Sequence, residues 1–214
     1  MGGDWYDLHL TDPMTLTVAV GDVQGKGVQA AAYMGQVRAA VRAYTLAGLG
    51  PAAVVQFLDR MWEQQAEVLT TCIYAQISVA TGLIRIAVAG HLPPLVVTAG
   101  GEVRYAEVRP GPPLGAGVGL YLESMITIGP GDGIVLFTDG LVEHRHRDLT
   151  TGMAQLADVV SESAVAGWQS AAIADAALAG MLEADHDDDV AVVVLRREPF
   201  PLDAELRRRV LSSP

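Results

Sequence analysis

The first half of the chain alternates between two hydrophobic periods. Residues 4–10 and 15–22 are β-prone runs separated by Thr11-Asp12-Pro13-Met14, whose Asp and Pro favour a turn. The spacing predicts a hairpin, and antiparallel pairing brings Asp4, near the start of one strand, opposite Asp22 at the end of the other. Asp7 points there less directly. Over residues 28–47, Ala30, Met34, Val37, Val41 and Tyr44 recur at helical spacing, Gly48 and Gly50 stop the pattern, and Pro51 starts a second helix reaching to about residue 68. Val54, Leu58, Met61 and Trp62 share one face of that second helix, a stripe that reads as core.

Residues 70–80 then alternate Cys72, Tyr74, Gln76 and Ser78 against Thr71, Ile73, Ala75, Ile77 and Val79, as in a strand with one buried face. Short β-prone runs at 83–89, 95–98 and 102–106 follow, divided by Thr81-Gly82, Gly90-His91-Leu92-Pro93-Pro94 and Gly100-Gly101. This series predicts an antiparallel meander rather than crossovers. Residues 109–119 read as a Pro- and Gly-rich loop, and 123–128 with 133–137 as a hairpin around Gly129-Pro130-Gly131-Asp132. Helical stretches at 153–164 and 170–183, a final strand at 190–196, and a short basic helix at 202–211 with Asp203 near its N-cap complete the reading. The expected organisation is one domain over residues 1–197 and a tail or linker over 198–214.

The stretch Val18-Ala19-Val20-Gly21-Asp22-Val23-Gln24-Gly25-Lys26-Gly27 organises the candidate chemistry. An apolar strand delivers one carboxylate, and glycines follow at once, permitting tight turns before the helix. Residues 134–140 repeat the device, with Ile134-Val135-Leu136-Phe137 leading to Asp139 and Gly140. With Asp4 and the cluster Asp187 to Asp189, acids recur at strand boundaries. Such a set suits hard cations, because carboxylates are preferred ligands of Mg and Mn, and a carboxylate bridging two such ions can poise hydroxide for in-line attack on phosphorus. A set of solvated turn acids is the competing reading.

Other chemistries fail on spacing. Only three residues separate Gly21 from Gly25, and Gly27 replaces the hydroxyl residue of a phosphate-binding P-loop. After Asp185, Asp187 and Asp189, Val190 takes the glycine position that a calcium loop requires. A thiol phosphatase needs Arg six positions after its nucleophile, and Ser78 stands there after Cys72, so Cys72 reads as core. The formal net charge of −11 argues against a nucleic-acid partner. The longest apolar runs, such as 190–195, are too short for a bilayer, and the single cysteine fits a reducing compartment, so cytoplasmic residence is expected.

Five segments occur in order: Gly2-Gly3-Asp4-Trp5-Tyr6-Asp7, Gly21-Asp22-Val23-Gln24-Gly25-Lys26-Gly27, Ala89-Gly90-His91-Leu92-Pro93-Pro94, Phe137-Thr138-Asp139-Gly140-Leu141-Val142-Glu143 and Asp188-Asp189-Val190-Ala191. Together they closely resemble the bacterial SpoIIE/RsbU branch of the PP2C-like (PPM) serine/threonine phosphatases. The resemblance covers residues 2–197. It implies an α+β fold, a four-layer α-β-β-α sandwich of two antiparallel sheets flanked by helices, with two Mn or Mg ions at one end. By motif match Asp22 bridges both ions and the Val23 carbonyl binds one, Asp139 and Asp188 complete one ion's site, and Asp4 supports the other; Asp22 and Asp139 are the catalytic pair.

The activity implied is hydrolysis of a phosphoserine or phosphothreonine monoester by a metal-bridging hydroxide, on a phosphorylated regulator of the STAS anti-anti-sigma type. The rival reading is a catalytically silent interaction module with the same fold. Animal-type members carry His two positions after the bridging Asp, where this chain has Gln24, so the leaving-group acid is unassigned. His91 reads as a structural hydrogen-bonding residue, Lys26 as a phosphate contact or a turn cap, and His144 and His146 as a solvated face. The family usually has a strand ahead of Gly-Gly-Asp, so an upstream strand and a sensory domain are expected outside this sequence, with the two helices of residues 28–68 as the route of the signal. The sequence leaves the oligomeric state open, a homodimer included.

Overall fold

The computed structural model describes residues 3–62, 68–116, 119–165, 167–182 and 188–198; Gly2, Asp187 and the expected helix at 202–211 lie outside them. The elements run β1 (Asp4–Asp12), β2 (Thr15–Val23), α1 (Val28–Leu46), α2 (Pro51–Trp62), β3 (Thr70–Ser78), β4 (Leu83–Ala89), β5 (Leu95–Val97), β6 (Val103–Tyr105), β7 (Pro110–Gly111), β8 (Ser124–Thr127), β9 (Gly133–Phe137), α3 (Leu149–Ser163), α4 (Ser170–Met181) and β10 (Val192–Arg196). The first sheet has the order β1-β2-β3-β4, with β7 parallel to the end of β4 and β8 antiparallel to its beginning. The second has the antiparallel order β10-β9-β5-β6.

Three apolar clusters make these elements four layers. Val37 and Val41 of α1 and Val54, Leu58 and Trp62 of α2 pack on the outer face of the first sheet against Trp5, Ala19, Tyr74 and Ala87. Between the sheets, Val18, Val20, Ile73, Ala75, Ile84 and Ile86 meet Val96, Ile134, Leu136 and Val193. Leu156 and Val160 of α3 and Ile173 and Ala177 of α4 close the far side over Leu95, Val97, Val135 and Phe137. The α-β-β-α expectation holds.

Four local expectations need correction. β3 is buried on both faces, not one: Cys72 and Tyr74 face the helices while Ile73 and Ala75 face the other sheet. The serial meander breaks after β4, because Gly90 to Pro94 carries the chain across to β5 in the second sheet. Residues 123–128 and 133–137 do not form a hairpin either, since β8 lies on the edge of the first sheet with alternate residues exposed and β9 is a fully buried central strand of the second. The intervening turn bridges the layers, with Ile128 N–H donating to Gly82 O on one side and Gly131 N–H to Arg197 O on the other. The predicted loop at 109–119 also contributes the two-residue strand β7.

Sheet widths matter at β1. Tyr6 and Leu8 are cross-strand partners of Val20 and Val18, so they share the face turned to the inter-sheet core. Both are nevertheless exposed, as is Leu10, because the core ends under β2.

Candidate metal centre

Asp22 is the penultimate residue of β2 and Asp4 the first of β1, and the two are direct cross-strand partners in a register set by a bulge between Leu10 and Asp12. Asp139 arrives from the second sheet, two residues beyond β9, where it opens a short 3-10 helix, Asp139–Leu141. One oxygen from each of Asp4, Asp22 and Asp139 lies within 4.8 Å of the others. Residues more than a hundred positions apart are thus gathered at one end of the sandwich by strand register and sheet stacking.

Thr138 fixes this junction, and the sequence reading missed its role. Its buried hydroxyl donates to Asp4 Oδ2 at 2.5 Å and accepts from Ala191 N–H at 2.9 Å, while its own N–H donates to Ala191 O at 3.0 Å. The β9–β10 ladder therefore extends one step to grip the carboxylate of β1. Arg147 stiffens the turn after Asp139, donating to Val142 O at 3.0 Å, Leu141 O at 3.1 Å and Met181 O at 3.0 Å. A Thr beside an Asp at a strand end reads in sequence as one more β-prone residue, and only the meeting of two sheets gives it a partner.

Burial, opposed by the Thr138 hydrogen bond and aided by the charge of Asp22, pushes the Asp4 carboxyl up to about 8. Burial and then the charge of Asp139 also raise Asp22. Burial therefore favours the neutral form of both carboxyls, which face each other as cross-strand partners. Crowded, desolvated carboxylates of this kind fit a cation.

A second observation concerns Gly3. A Cβ at Gly3 would stand 1.9 Å from Val23 O and 2.7 Å from Asp22 Oδ1, so only glycine leaves the gap between these two oxygens open. Val23 N–H donates to Gly3 O at 3.1 Å, holding the strand there. The donor set is all oxygen, the chemistry of Mg and Mn.

Asp188 is not within the close trio. It sits 3.3 Å from Lys26 Nζ, with both side chains more than half exposed, and its charge helps raise Asp22. Asp7 is directed away from the site, to Arg42 of α1 at 3.3 Å. Two cavities flank the centre. One of about 360 Å³ is lined by Asp22, Gln24, Lys26, Thr71, Pro113 and Asp188. The other, about 810 Å³, runs from Asp4 and Asp189 along β1 towards α4.

Cys72 is fully buried and its thiol is pushed up to about 12, which removes it as a nucleophile. His91 is buried between the sheets, with Nε2 3.1 Å from Phe137 O and Nδ1 2.9 Å from Thr71 Oγ1. Burial lowers it to about 4 despite the Phe137 contact. The ring is then neutral, Nε2–H donates to the carbonyl, and Nδ1 accepts from the Thr71 hydroxyl. His91 is a staple between sheets rather than an acid. His144 and His146 lie together on the turn beyond Asp139, ring centroids 5.9 Å apart, with His144 half-buried rather than solvated.

The staple has a measurable signature. His91→Phe leaves Thr71 and Phe137 without this partner and should cost roughly 1–3 kcal/mol in urea unfolding near pH 7.5. His91 titrates lower when folded than the 6.5 of a free imidazole, so its contribution to stability is present above pH 6.5 and lost as pH falls towards 4. The variant should lose that part of the acid limb. Parallel stability curves for both proteins would overturn the neutral-ring assignment.

The sequence model of the family described as Stage II sporulation protein E (SpoIIE) matches residues 12–198. Phosphoserine phosphatase RsbU of Bacillus subtilis (strain 168) is 29% identical over 203 residues, covering 92% of this chain and 60% of that protein. The chain therefore spans less than two thirds of this curated relative. The crystal structure of the RsbU and RsbW domains of a Mycobacterium tuberculosis protein superposes with a TM-score of 0.82 at 33% identity, over 94% of this chain and 57% of that one. RsbX in complex with magnesium shares the fold, with a TM-score of 0.67 at 15% identity over 91% of this chain and 86% of that one.

Proposed function

Because the chain belongs to the SpoIIE family, we propose that it is a metal-dependent protein serine/threonine phosphatase, with the domain over residues 1–197 and a tail over 198–214. The observation that carries the reading is the trio Asp4, Asp22 and Asp139, converging within 4.8 Å from two sheets. The chain's similarity to a phosphoserine phosphatase supports the substrate bond, a phosphoserine or phosphothreonine monoester.

Asp22, the Val23 carbonyl, Asp139, Asp188 and Asp4 would hold two Mn or Mg ions, with Asp22 central among them. When bound, the ions supply the charge that makes water a nucleophile near neutral pH for attack on phosphorus. The protein's part is to hold charge in place. Thr138 keeps Asp4 aimed at Asp22, and Arg147 keeps the turn carrying Asp139 from relaxing. Gln24 lines the cavity and can donate a hydrogen bond to a leaving oxygen, but it has no acidic proton to give. The carboxylate trio, complete and desolvated, counts against a catalytically silent module.

The partner proposed is a phosphorylated STAS-type anti-anti-sigma regulator, in keeping with the RsbU similarity and with the pairing of RsbU and RsbW domains in the Mycobacterium tuberculosis protein. An upstream sensory domain and a homodimer complete the proposed signalling unit. Among the described residues no helix is long and apolar enough to cross a membrane, and work in the cytoplasm is proposed.

Metal titration tests the centre. The proton on Asp4 must leave when a cation binds, so calorimetry with Mn at pH 7 should show about one proton released, read from buffers of different ionisation enthalpy, with the release fading above pH 9. Because Asp4 titrates higher when folded, its contribution to the chelated protein's stability is present below pH 3.8 and lost as pH rises through about 8. Mn should reverse that loss. Absence of Mn binding at millimolar concentration would sink the metal centre and the enzymatic reading with it.

A further inference from the structure

We infer that Lys26 is the phosphate-recognition residue of this site, binding the phosphoryl oxygens of the incoming ester and resting on Asp188 when no ester is present. The inference depends on the phosphatase reading above and names the group that receives the substrate's charge. Lys26 stands between Gly25 and Gly27, whose φ angles of 113° and 88° lie in the left-handed region. A Cβ at either glycine would meet nothing within 4 Å, so these glycines are required by backbone direction and not by crowding. The turn they make brings the ammonium group to the cavity shared with Asp22, Gln24, Thr71 and Asp188.

Charge decides what that ammonium is for. Among the described residues lining this cavity, Lys26 is the one cationic side chain. A phosphomonoester carries close to two negative charges near neutral pH and here approaches a centre built of carboxylates. A lysine at the entrance offers the compact, movable positive charge that phosphate oxygens accept. Its contact with Asp188, 3.3 Å long and more than half exposed at both ends, is of the weak surface type and exchanges readily for a stronger anion. Helix α1 begins one residue after Gly27 with no side-chain cap and no acid in its first turn, so its N-terminal dipole adds to the same positive field.

The pairing with Asp188 has a second consequence. Asp188 would have to give up Lys26 to hold a divalent ion, which would free the ammonium group for the cavity and the ester. Recognition of phosphate is thereby linked to occupancy of the metal site.

The test uses inorganic phosphate as probe, titrated into the Mn-loaded wild type, Lys26→Ala and Lys26→Arg, with Mn affinity measured separately for each. Lys26→Ala should weaken phosphate binding about tenfold or more, and should raise KM for a phosphoserine peptide more than it lowers kcat. Its Mn affinity should be unchanged or tighter, because the competitor for Asp188 has gone, and Lys26→Arg should recover most of the phosphate affinity. Phosphate affinity within about twofold of wild type in Lys26→Ala would overturn the inference, as would a loss of Mn affinity large enough to account for the whole effect. A wild type that neither binds Mn nor releases phosphate would overturn this inference together with the phosphatase reading. One that turns over normally while Lys26→Ala is unaffected removes only the role of Lys26.

Discussion

Asp22→Asn should lower phosphate release by at least about a thousandfold while leaving a folded protein. Asn matches Asp in shape, and residue 22 keeps its pairing with Asp4 on one side and Thr71 on the other, so β2 is not disturbed. What disappears is a charge. In the proposed centre Asp22 would be the carboxylate lying between Asp4 and Asp139, and neither of those, each fixed on its own segment of chain, could take its place. The same substitution relieves crowding when metal is absent, because Asp139 and Asp4 no longer face a third acid. Asp22→Asn should therefore unfold at a higher temperature than wild type in chelator, the reverse of its effect on activity.

Cys72→Ala is the control. It removes a small side chain with no solvent exposure, so turnover should persist and stability should fall by on the order of 1 kcal/mol. Turnover abolished in Cys72→Ala but kept in Asp22→Asn would reverse the mechanism argued here.

Much of this centre was legible in the sequence because hairpin register is local. Asp12 and Pro13 mark the turn and bring the start of one strand towards the end of the other; counting from Asp12 opposite Thr15 would set Asp4 against Val23, and the bulge between Leu10 and Asp12 moves it opposite Asp22. Asp139 was legible as a second instance of strand, acid and glycine, although nothing local says which sheet its strand joins. That gap produced the hairpin error at Gly129 to Asp132. Turn residues announce a reversal, and here Asp132 uses both oxygens, accepting from Gly129 N–H at 2.7 Å and Ala99 N–H at 2.7 Å, to anchor a turn that changes layers. Alternation in β3 misled for a related reason, since small and polar residues such as Cys72 and Thr70 are buried when helices cover a sheet's second face.

Thr138 and Gly3 lay beyond sequence reasoning on different grounds. Thr138 gains its role from Ala191 and Asp4, partners from opposite ends of the chain. Gly3 matters through the oxygens it leaves uncovered, a property of a gap and not of a side chain. His91 needed both sheets in place before its two nitrogens could be assigned to Thr71 and Phe137.

Metal dependence carries the second large effect. Without cations the centre holds its carboxylates partly protonated and mutually repelled, a state with no means of activating water, so chelation should remove essentially all hydrolysis. Neither Cys72 nor His91 offers an alternative nucleophile or base, because Cys72 is fully buried with its thiol pushed up to about 12, and both ring nitrogens of the buried His91 are held by Thr71 and Phe137. The measurement that decides the matter is phosphate release from a phosphoserine peptide by the purified protein in Mn, in Mg and in excess chelator. Release in at least one metal, abolished by chelator and restored when Mn is added back, is the result expected. Release that continues unchanged in chelator, or none in either metal from a folded protein that binds Mn, would contradict the account.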